Sequence, residues 1–262
     1  MQPRSILITG ASSGIGRALA LGYARPGVSL SLVGRDIERL EDVATAARAQ
    51  GAEVSLGVLD VRDQDAMAEW IEAADARQPF DLVIANAGIT TGLSPGEIAE
   101  DPGAVRAIIG INLIGVLNTV EPLIGPMCAR GAGQIAFIGS IAGLRGLPYS
   151  PSYCATKAAV HAYSESLRGR LAASGVQVAL VIPGFVKTPL NDGIDATKPL
   201  QITASQAAAR IQKGLQQRKA VIAFPFPLYF AARLSRILPI WLVDKVMACF
   251  RVKIPQTHER IR

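Results

Sequence analysis

Short apolar runs alternate with longer mixed segments along the first 225 residues of the chain, which has 262 residues. The short runs are rich in Val, Ile and Leu and end at turn-forming residues, a pattern typical of buried strands. The longer segments have helix-forming composition. Strands are predicted at residues 5–9, 28–33, 53–61, 80–85, 134–139, 176–182 and 220–224, and helices at 17–24, 36–50, 62–77, 103–130, 152–171 and 206–217. This order indicates an α/β chain, and no repeat or linker divides it, so one domain covering residues 1–225 is the simplest arrangement.

The segment 226–262 has a different composition. It holds seven Lys or Arg residues against two acidic ones, whereas the rest of the chain carries almost balanced charges. Residues 227–251 are rich in Leu, Ile, Val and Phe, but charges interrupt them, and the longest unbroken apolar run has seven residues. A membrane span needs about twenty, so Pro239 should instead divide the segment into two short helices. We predict that residues 226–262 form an apolar, basic helical extension and that residues 226–251 contact a membrane surface; packing on the domain, over a ligand pocket or between subunits is the alternative.

Cysteine and histidine are too few and too scattered to indicate a disulfide framework or a metal site. Cys128, Cys154 and Cys249 show no CxxC spacing, and His161 and His258 lie far apart without ligand-spaced neighbours. His161 is predicted to be a packed helix residue. A first strand only a few residues from the start leaves no room for a signal peptide. We therefore expect a reducing, cytoplasmic location, with no metal and no nucleic acid as partner.

A glycine-rich turn joins the first predicted strand to the first helix. Its spacing, Gly-x-x-x-Gly-x-Gly over Gly10, Gly14 and Gly16, lets the backbone turn tightly and approach a phosphate closely. The helix that follows presents free N–H groups to the same negative charge. The sequence therefore predicts a pyrophosphate cradle, although a tight connection would use similar glycines. The cofactor-binding residues predicted here are Gly10, Ser12, Ser13, Gly14, Ile15 and Gly16.

The end of the second predicted strand carries the residues expected to read the adenosine ribose of a dinucleotide. In such folds an acid there accepts the 2′-hydroxyl of NAD, and an arginine there binds the 2′-phosphate of NADP. Asp36 is placed to cap the following helix, which leaves Arg35 nearest the strand end, beside Gly34. A guanidinium fits a phosphate well, so NADP(H) is favoured over NAD(H).

Polar side chains follow further strands, at what would be the carboxyl edge of a parallel sheet. Asp60 and Asn86 can each hydrogen-bond a ligand there, although Asp60 could equally be a turn residue. The irregular stretch that begins at Pro183 could close over a bound ligand.

A tyrosine and a lysine share one face of the helix predicted at 152–171. Tyr153 and Lys157 stand four residues apart. A free phenol titrates near 10, and a neighbouring ammonium would bring the pKa of Tyr153 toward neutrality, where proton transfer is most effective. Ser140 could polarise an oxygen held against this tyrosine. Asn112 is an amide in apolar surroundings, and it either bonds to neighbouring backbone or anchors a water for proton transfer.

With these pieces together, the chain resembles the short-chain dehydrogenase/reductase family over about residues 4–225. The motifs Thr9-Gly10-x-x-x-Gly14-Ile15-Gly16, Asn86-Ala87-Gly88, Asn112, Ser140, Tyr153-x-x-x-Lys157 and Pro183-Gly184 occur in the family's order and spacing. The resemblance implies a single-domain, doubly wound (Rossmann) α/β fold with a seven-stranded parallel sheet. It also implies a homodimer or homotetramer formed through the helices at 103–130 and 152–172.

The resemblance assigns catalytic roles to Asn112, Ser140, Tyr153 and Lys157. Tyr153 would transfer the proton at oxygen, Ser140 would position that oxygen, and Lys157 would bind the nicotinamide ribose and lower the pKa of the tyrosine. Asn112 would hold the water that continues the proton relay. The resemblance also implies that Asp60 meets the adenine, Asn86 the adenosine-side ribose region, and the Pro183-Gly184 turn with Thr188 the nicotinamide carboxamide. The cofactor-binding residues implied around this edge are Asp60, Val61, Asn86, Ala87, Gly88, Tyr153, Lys157, Pro183, Gly184 and Thr188. One position departs from the family: many NADP-preferring members have a basic residue just before the second glycine, where this chain has Ser13.

These residues predict an NADP(H)-dependent oxidoreductase that transfers hydride between nicotinamide and a ketone or secondary alcohol. Leu144, Leu147, Pro148 and Phe185 could line an apolar pocket, which favours a lipid-like, steroid or acyl substrate over a sugar, and hence a role in lipid metabolism. A sugar-nucleotide epimerase or dehydratase can share the Tyr-x-x-x-Lys pair, but the glycine spacing and the short chain weigh against it. A non-catalytic NADP-binding scaffold or redox sensor is the alternative outside enzymes.

Overall fold

A seven-stranded parallel sheet forms the centre of the protein. The structure is a computed structural model that describes residues 2–93, 96–190, 195–196, 198–248 and 252–253. The strands of this sheet are β1 (Ser5–Thr9), β2 (Ser29–Gly34), β3 (Glu53–Val58), β4 (Leu82–Ala85), β5 (Gly133–Ile138), β6 (Val176–Pro183) and β7 (Val221–Phe224). Their spatial order is β7-β6-β5-β4-β1-β2-β3, and all neighbours are parallel. The strand order reverses between β1 and β4, which opens a crevice at the carboxyl ends of the strands, as in doubly wound folds.

Helices cover both faces of the sheet and divide the core in two. They are α1 (Gly14–Tyr23), α2 (Ile37–Ala49), α3 (Gln64–Arg77), α4 (Pro102–Ile109), α5 (Gly115–Arg130), α6 (Pro151–Arg170), α7 (Ala204–Gln216), α8 (Phe226–Leu234) and α9 (Ile240–Ala248). On one face α1, α2 and α7 bury apolar side chains such as Leu19, Leu40 and Ile211. On the other face α3 and α5 bury Met67 and Val120. Apolar strands covered on both faces are what a parallel sheet requires, and the predicted doubly wound fold is confirmed.

All seven predicted strands are present, but some element boundaries differ from the prediction. The third strand ends at Val58 rather than at 61, because the carboxylate of Asp60 accepts the backbone N–H of Arg62 (2.9 Å) and starts a turn. The first helix begins at Gly14, before the predicted start. The long helix predicted before the fifth strand is divided by a π turn at Gly110–Ile114. Such turns insert an extra residue into a helix and often occur at functional sites.

The C-terminal segment forms two short helices, as predicted. The first ends at Leu234, and the second begins at Ile240, directly after Pro239. Proline at this point cannot continue the preceding helix, because it lacks the N–H donor. Cys249, Phe250, Arg251 and residues 254–262, which include His258, lie outside the described residues.

One stretch of the described chain is long and apolar enough to cross a membrane, by length and composition alone. It is Pro102–Arg130, which has a mean hydropathy of 1.7 in its most apolar window, and 56% of that window is buried inside the protein. Its side chains pack against α3 and the sheet. Burial of this extent is typical of a helical segment in the core of a globular protein.

Candidate active site

The glycine turn after β1 packs closely against the end of β4. Gly10 (φ 64°) and Gly14 (φ 54°) adopt left-handed conformations that favour glycine. A Cβ atom on Gly10 would lie 2.8 Å from the Cα atom of Ala87, and one on Gly16 would collide with the carbonyl group of Gly10. Gly14 and Ile15, the first residues of α1, line the crevice. At that position the free N–H groups of a helix start can bind a phosphate.

Thr9, the last residue of β1, connects the glycine turn to the end of β4. Its Oγ1 atom accepts hydrogen bonds from the backbone N–H groups of Asn86 (3.2 Å) and Ala87 (3.3 Å). The Asn86 side chain in turn donates from Nδ2 to the carbonyl oxygens of Thr9 (2.9 Å) and Gly10 (3.1 Å). Asn86 therefore holds the glycine turn in place. Thr9 supports the glycine turn as well. In the sequence, the only indication of this role is that Thr9 directly precedes Gly10.

Five charged side chains gather where β2 and β3 end. Asp36 caps α2 by accepting the backbone N–H of Arg39 (3.0 Å), as predicted, and its carboxylate pairs with the Arg39 side chain (3.1 Å). Asp60 binds the Arg62 guanidinium through both carboxylate oxygens, and these hydrogen bonds, more than any other cause, lower the pKa of Asp60. Arg35 lies 3.8 Å from Asp60 (Nη1 to Oδ2) and is 37% exposed. Asp60 is therefore a turn residue that also lines the crevice. Arg39 and Arg62 line it as well, although no sequence motif marks either residue.

Asn112 is fully buried in the π turn between α4 and α5. Its Oδ1 atom accepts the N–H of Ile89 (2.8 Å), and its Nδ2 atom donates to the Ile89 carbonyl oxygen (2.9 Å) and to Oγ1 of Thr156 (3.4 Å). Thr156 donates to the carbonyl oxygen of Tyr153 (2.8 Å). The amide thus ties the segment after β4 to the start of α6, which matches the structural alternative for this residue. Its water-holding role stays a prediction.

Ser140, Tyr153 and Lys157 meet where β5 ends and α6 begins. Ser140 follows β5, is buried, and hydrogen-bonds the side chain of Tyr153. Lys157 is 4% exposed, and its Nζ atom donates to the carbonyl oxygen of Ile138 (2.9 Å). The same Nζ atom lies 5.8 Å from the centroid of the Tyr153 ring. The spacing of four residues therefore brings the tyrosine and the lysine to one site, as the sequence predicts.

The electrostatics of this pair differ from the expectation. Burial raises the pKa of Tyr153 to about 12, and the hydrogen bond with Ser140 lowers it by less than burial raises it. Burial also lowers the pKa of Lys157 to about 8. The expected lowering of the Tyr153 pKa by Lys157 is therefore not found. The physical reason is that desolvation favours the neutral form of both groups, and that Lys157 gives one of its donors to a backbone carbonyl rather than to the phenol.

His161 lies behind Ser140 on α6 and is buried, as predicted for a packed helix residue. Its Nε2 atom accepts the backbone N–H of Ser140 (3.4 Å). The ring also fills the space beside Gly139 and Gly143, where added Cβ atoms would come within 2.5 Å and 2.7 Å of ring atoms. Burial, then the charges of Lys157 and Arg236, lower the pKa of His161 to about 4. A neutral imidazole thus supports the backbone on both sides of Ser140.

The predicted site residues line one continuous crevice of about 1140 Å³. It runs from the charged cluster at the ends of β2 and β3, past the glycine turn, to Tyr153 and Lys157. Gly16 and Asn112 are not lining residues, since Gly16 packs on Gly10 and the Asn112 side chain is enclosed. The predicted residues that do line it are Gly10, Ser12, Ser13, Gly14, Ile15, Arg35, Asp60, Val61, Asn86, Ala87, Gly88, Ser140, Tyr153, Lys157, Pro183, Gly184 and Thr188.

This crevice, with its glycine turn and its Ser140-Tyr153-Lys157 group, has its counterpart in a known family. The family model described as short chain dehydrogenase matches residues 4–199. The chain belongs to the short-chain dehydrogenase family. The family assignment made from the sequence motifs is therefore confirmed, and the protein is an oxidoreductase of that family.

Individual members of the short-chain dehydrogenase family resemble the chain over nearly its whole length. An uncharacterized oxidoreductase of Myxococcus xanthus is 36% identical over 245 residues, which cover 93% of this chain and 96% of that protein. A short-chain dehydrogenase from Sphingobium yanoikuyae in complex with NADPH is 28% identical, with a TM-score of 0.78 and coverage of 98% and 99%. A member from Burkholderia phymatum in complex with NAD is 24% identical, with a TM-score of 0.81 and coverage of 98% for both chains; it shows the shared fold.

The nicotinamide cofactor of the short-chain dehydrogenases fits the residues present. The crevice offers a backbone cradle at Gly14, where a Cβ atom would press against Thr188 at 3.2 Å, and it offers hydrogen-bonding groups at both ends. Among the described residues no group of three or more His, Cys, Asp or Glu side chains could hold a metal ion. The free N–H groups at the start of α1 and the arginine guanidinium groups that line the crevice are suited to phosphates and hydroxyl groups.

Proposed function

We propose that the protein is an NADP(H)-dependent oxidoreductase that transfers hydride between nicotinamide and a ketone or secondary alcohol carbon on an apolar substrate. The observation that carries this proposal is the convergence of Ser140, Tyr153 and Lys157 in the same crevice as the glycine cradle. A proton donor and a cofactor cradle side by side are what carbonyl reduction requires, because hydride and proton must reach the two atoms of one C=O group.

The charges at the adenosine end support NADP(H) over NAD(H). The Asp36 carboxylate caps α2 and pairs with Arg39, so its oxygens are already used and are poorly placed to accept the 2′-hydroxyl of an NAD ribose. Asp60 is held by the Arg62 guanidinium. Arg35, at the end of β2, is the residue best able to meet a 2′-phosphate, and its planar guanidinium matches the geometry of phosphate oxygens. Three arginines against two aspartates leave this end of the crevice net positive.

The proton chemistry follows from the state of the Tyr153 side chain. Because its pKa is about 12, Tyr153 carries its proton at neutral pH and is suited to donate to the oxygen of a carbonyl group as negative charge develops there. Ser140 hydrogen-bonds the phenol and positions the same oxygen. Lys157, with its Nζ atom 5.8 Å from the ring, would bind hydroxyl groups of the nicotinamide ribose and replenish the proton. When bound, the nicotinamide supplies or accepts the hydride.

The loop between β5 and α6 supports an apolar substrate. Leu144 packs partly on the core, and Leu147 is 36% exposed. The loop is held by the backbone N–H of Leu147, which donates to Sγ of Cys154 (3.3 Å), and by the N–H of Leu93, which donates to the carbonyl of Tyr149 (2.8 Å). Leu144, Leu147, Pro148 and Phe185 are not among the residues that line the crevice, but the bond from Leu147 to Cys154 holds this apolar loop near the start of α6, which favours a lipid-like, steroid or acyl ketone over a sugar.

Assembly and location belong to the same proposal. We propose a cytoplasmic location and a homodimer or homotetramer formed through the helical segments at 103–130, which comprise α4, the π turn and α5, and at 152–172, which include α6. On α4 and in the turn that follows it, Ile109 and Ile114 are each 41% exposed. Two exposed isoleucines this close together favour a covering subunit nearby. Size-exclusion chromatography with light scattering, on the natural chain and on I109S/I114S, measures this directly.

A panel of ketones graded by chain length, with NADPH absorbance as the readout, tests the catalytic proposal. Tyr153→Phe deletes the proton donor and should lower kcat at least about 100-fold while leaving NADPH affinity nearly intact. Tyr163→Phe is the matched control, since it removes a phenol hydroxyl from the same helix outside the crevice. Retention of more than about a tenth of kcat by Tyr153→Phe would contradict the assignment.

The same assay, extended to secondary alcohols and a sugar nucleotide, separates the alternatives. NADPH binding without turnover of any ketone or alcohol would favour a scaffold or redox sensor. Turnover of a sugar nucleotide without net change in NADPH would favour an epimerase or dehydratase.

A further inference from the structure

The outward face of the two C-terminal helices is apolar. We call it the apolar surface, and its members are Phe226, Phe230, Leu234, Ile237, Ile240 and Trp241. Phe226, Phe230 and Leu234 stand four residues apart and so form one stripe along α8, where the rings of Phe226 and Phe230 stack at 6.1 Å. Ile237 (80% exposed) and Trp241 (69% exposed) continue it across the turn into α9.

These helices are docked with their apolar stripe turned away from the domain. On the inner side of α8, Leu228 contacts the position of Gly184, and Tyr229 packs on the core. Val243 of α9 is buried, and the next residue, Asp244, accepts a hydrogen bond from the Arg145 guanidinium (3.2 Å). A surface helix of a globular protein normally buries its apolar stripe and exposes the polar one. Here the helices carry apolar groups on both sides, and the outer stripe is left exposed, so it is available to a partner outside the domain.

The concentration of exposed apolar groups at this place is not matched elsewhere in the described part of the chain. Sixteen large apolar side chains are exposed in the whole described part of the chain, and eight of these sixteen fall within residues 226–242. The other eight are spread over about 200 residues, as expected for a surface in water. A contiguous exposed apolar patch marks a binding surface.

Charge decides which partner fits. The segment 226–262 carries seven Lys or Arg residues against two acidic ones, and Arg233 and Arg236 are exposed beside the apolar surface. A second copy seated on this face would bring two strongly basic segments together. An anionic lipid surface offers the opposite charge to the arginines and a hydrocarbon boundary to the phenylalanines and the tryptophan.

We propose that the apolar surface docks on the surface of an anionic lipid bilayer, with α8 and α9 lying along the interface. Each helix has nine residues, far fewer than the roughly twenty that a membrane-spanning helix needs. Gly184 lines the crevice and packs on Leu228 on the inner side of α8, so a bilayer on the outer side of α8 would be separated from this part of the crevice only by that helix. If the proposed function holds, docking brings the crevice close to apolar ketones dissolved in the bilayer, but the docking itself does not depend on catalysis.

Vesicle binding by the full chain tests this proposal. The natural protein is sedimented with phosphatidylcholine vesicles that contain or lack phosphatidylglycerol, at low and high salt. The variant F230S/I237S/W241S removes three exposed members of the apolar surface. The matched control I37S/V58S/V221S removes three exposed apolar side chains from other parts of the surface. Thermal melting of all three proteins checks that they remain folded.

We expect the natural chain and the control to bind anionic vesicles, and the apolar-surface variant to lose at least about tenfold in affinity. Binding should weaken with salt and without phosphatidylglycerol. Trp241 fluorescence should shift to the blue on binding, whereas Trp70, already packed against Gly57, should not contribute. The proposal is overturned if the natural chain does not sediment with anionic vesicles at low salt, or if the variant binds as well as the control. Conversion of a dimer to a monomer by the variant, without vesicle binding by the natural chain, would assign the surface to a second copy.

Discussion

Replacing Arg35 with Ala should weaken the binding of NADPH and leave the binding of NADH almost unchanged. The two cofactors differ only in the 2′-phosphate of the adenosine ribose, and Arg35 stands at the end of β2 where that group is read. The neighbouring carboxylates are already engaged, because Asp36 pairs with Arg39 and Asp60 with Arg62. The substitution therefore removes the guanidinium that the proposal assigns to the phosphate.

The magnitude follows from the surroundings of the Arg35 side chain. A hydrogen bond to a charged group contributes about 1.5–3 kcal/mol, which corresponds to about a 10- to 150-fold change in Kd. The Arg35 side chain is 37% exposed, and its Nη1 atom lies 3.8 Å from Oδ2 of Asp60. Water and this carboxylate both screen the guanidinium, so the loss should fall in the lower half of that range, about 10- to 40-fold.

Fluorescence titration of NADPH and of NADH, at one fixed salt concentration, measures the two dissociation constants. Arg48→Ala is the matched control, because Arg48 pairs with Glu41 on the surface (3.2 Å) outside the crevice and should change neither constant. Equal losses of NADPH and NADH affinity in Arg35→Ala would refute the phosphate-reading role. An unchanged NADPH affinity would refute it as well.

Two further substitutions test the groups around Tyr153. Lys157→Met keeps the buried volume but removes the charge and the hydrogen bond to Ile138. Initial rates should fall at least about 100-fold, and the Kd for NADPH should rise about tenfold. An unchanged Kd would argue against a contact between Lys157 and the ribose. The fold lowers the pKa of His161 from 6.5 to about 4, so the unfolded chain binds a proton at this residue more tightly than the folded chain does. The free energy of unfolding should therefore fall by up to about 3 kcal/mol as the pH drops from 6.5 to 4. His161→Gln should flatten this dependence in urea unfolding, and an undiminished slope would contradict it.

Much of the fold could be predicted because strand and helix formation depends on residues that are close along the chain. The apolar runs of β1 to β7 and the N-cap at Asp36 are local patterns, and the structure contains all of them. The break at Pro239 is local as well. The wrong boundary of the third strand also has a local cause. The strand stops at Val58 because the carboxylate of Asp60 accepts the backbone N–H of Arg62, and the apolar composition of residues 53–61 does not reveal that turn.

The candidate chemistry is visible in local patterns, namely the strand, glycine turn and helix around Gly10 and the helix face shared by Tyr153 and Lys157. How each group is used depends on long-range contacts in the folded chain. The Asn112 amide is enclosed by Ile89, and the imidazole of His161 supports Ser140, through contacts between segments far apart in the chain. The pKa of Tyr153 is raised rather than lowered, and the stripe on α8 faces outward. Periodicity gives the spacing of side chains along an element, whereas burial and electrostatics depend on what the folded chain packs against them.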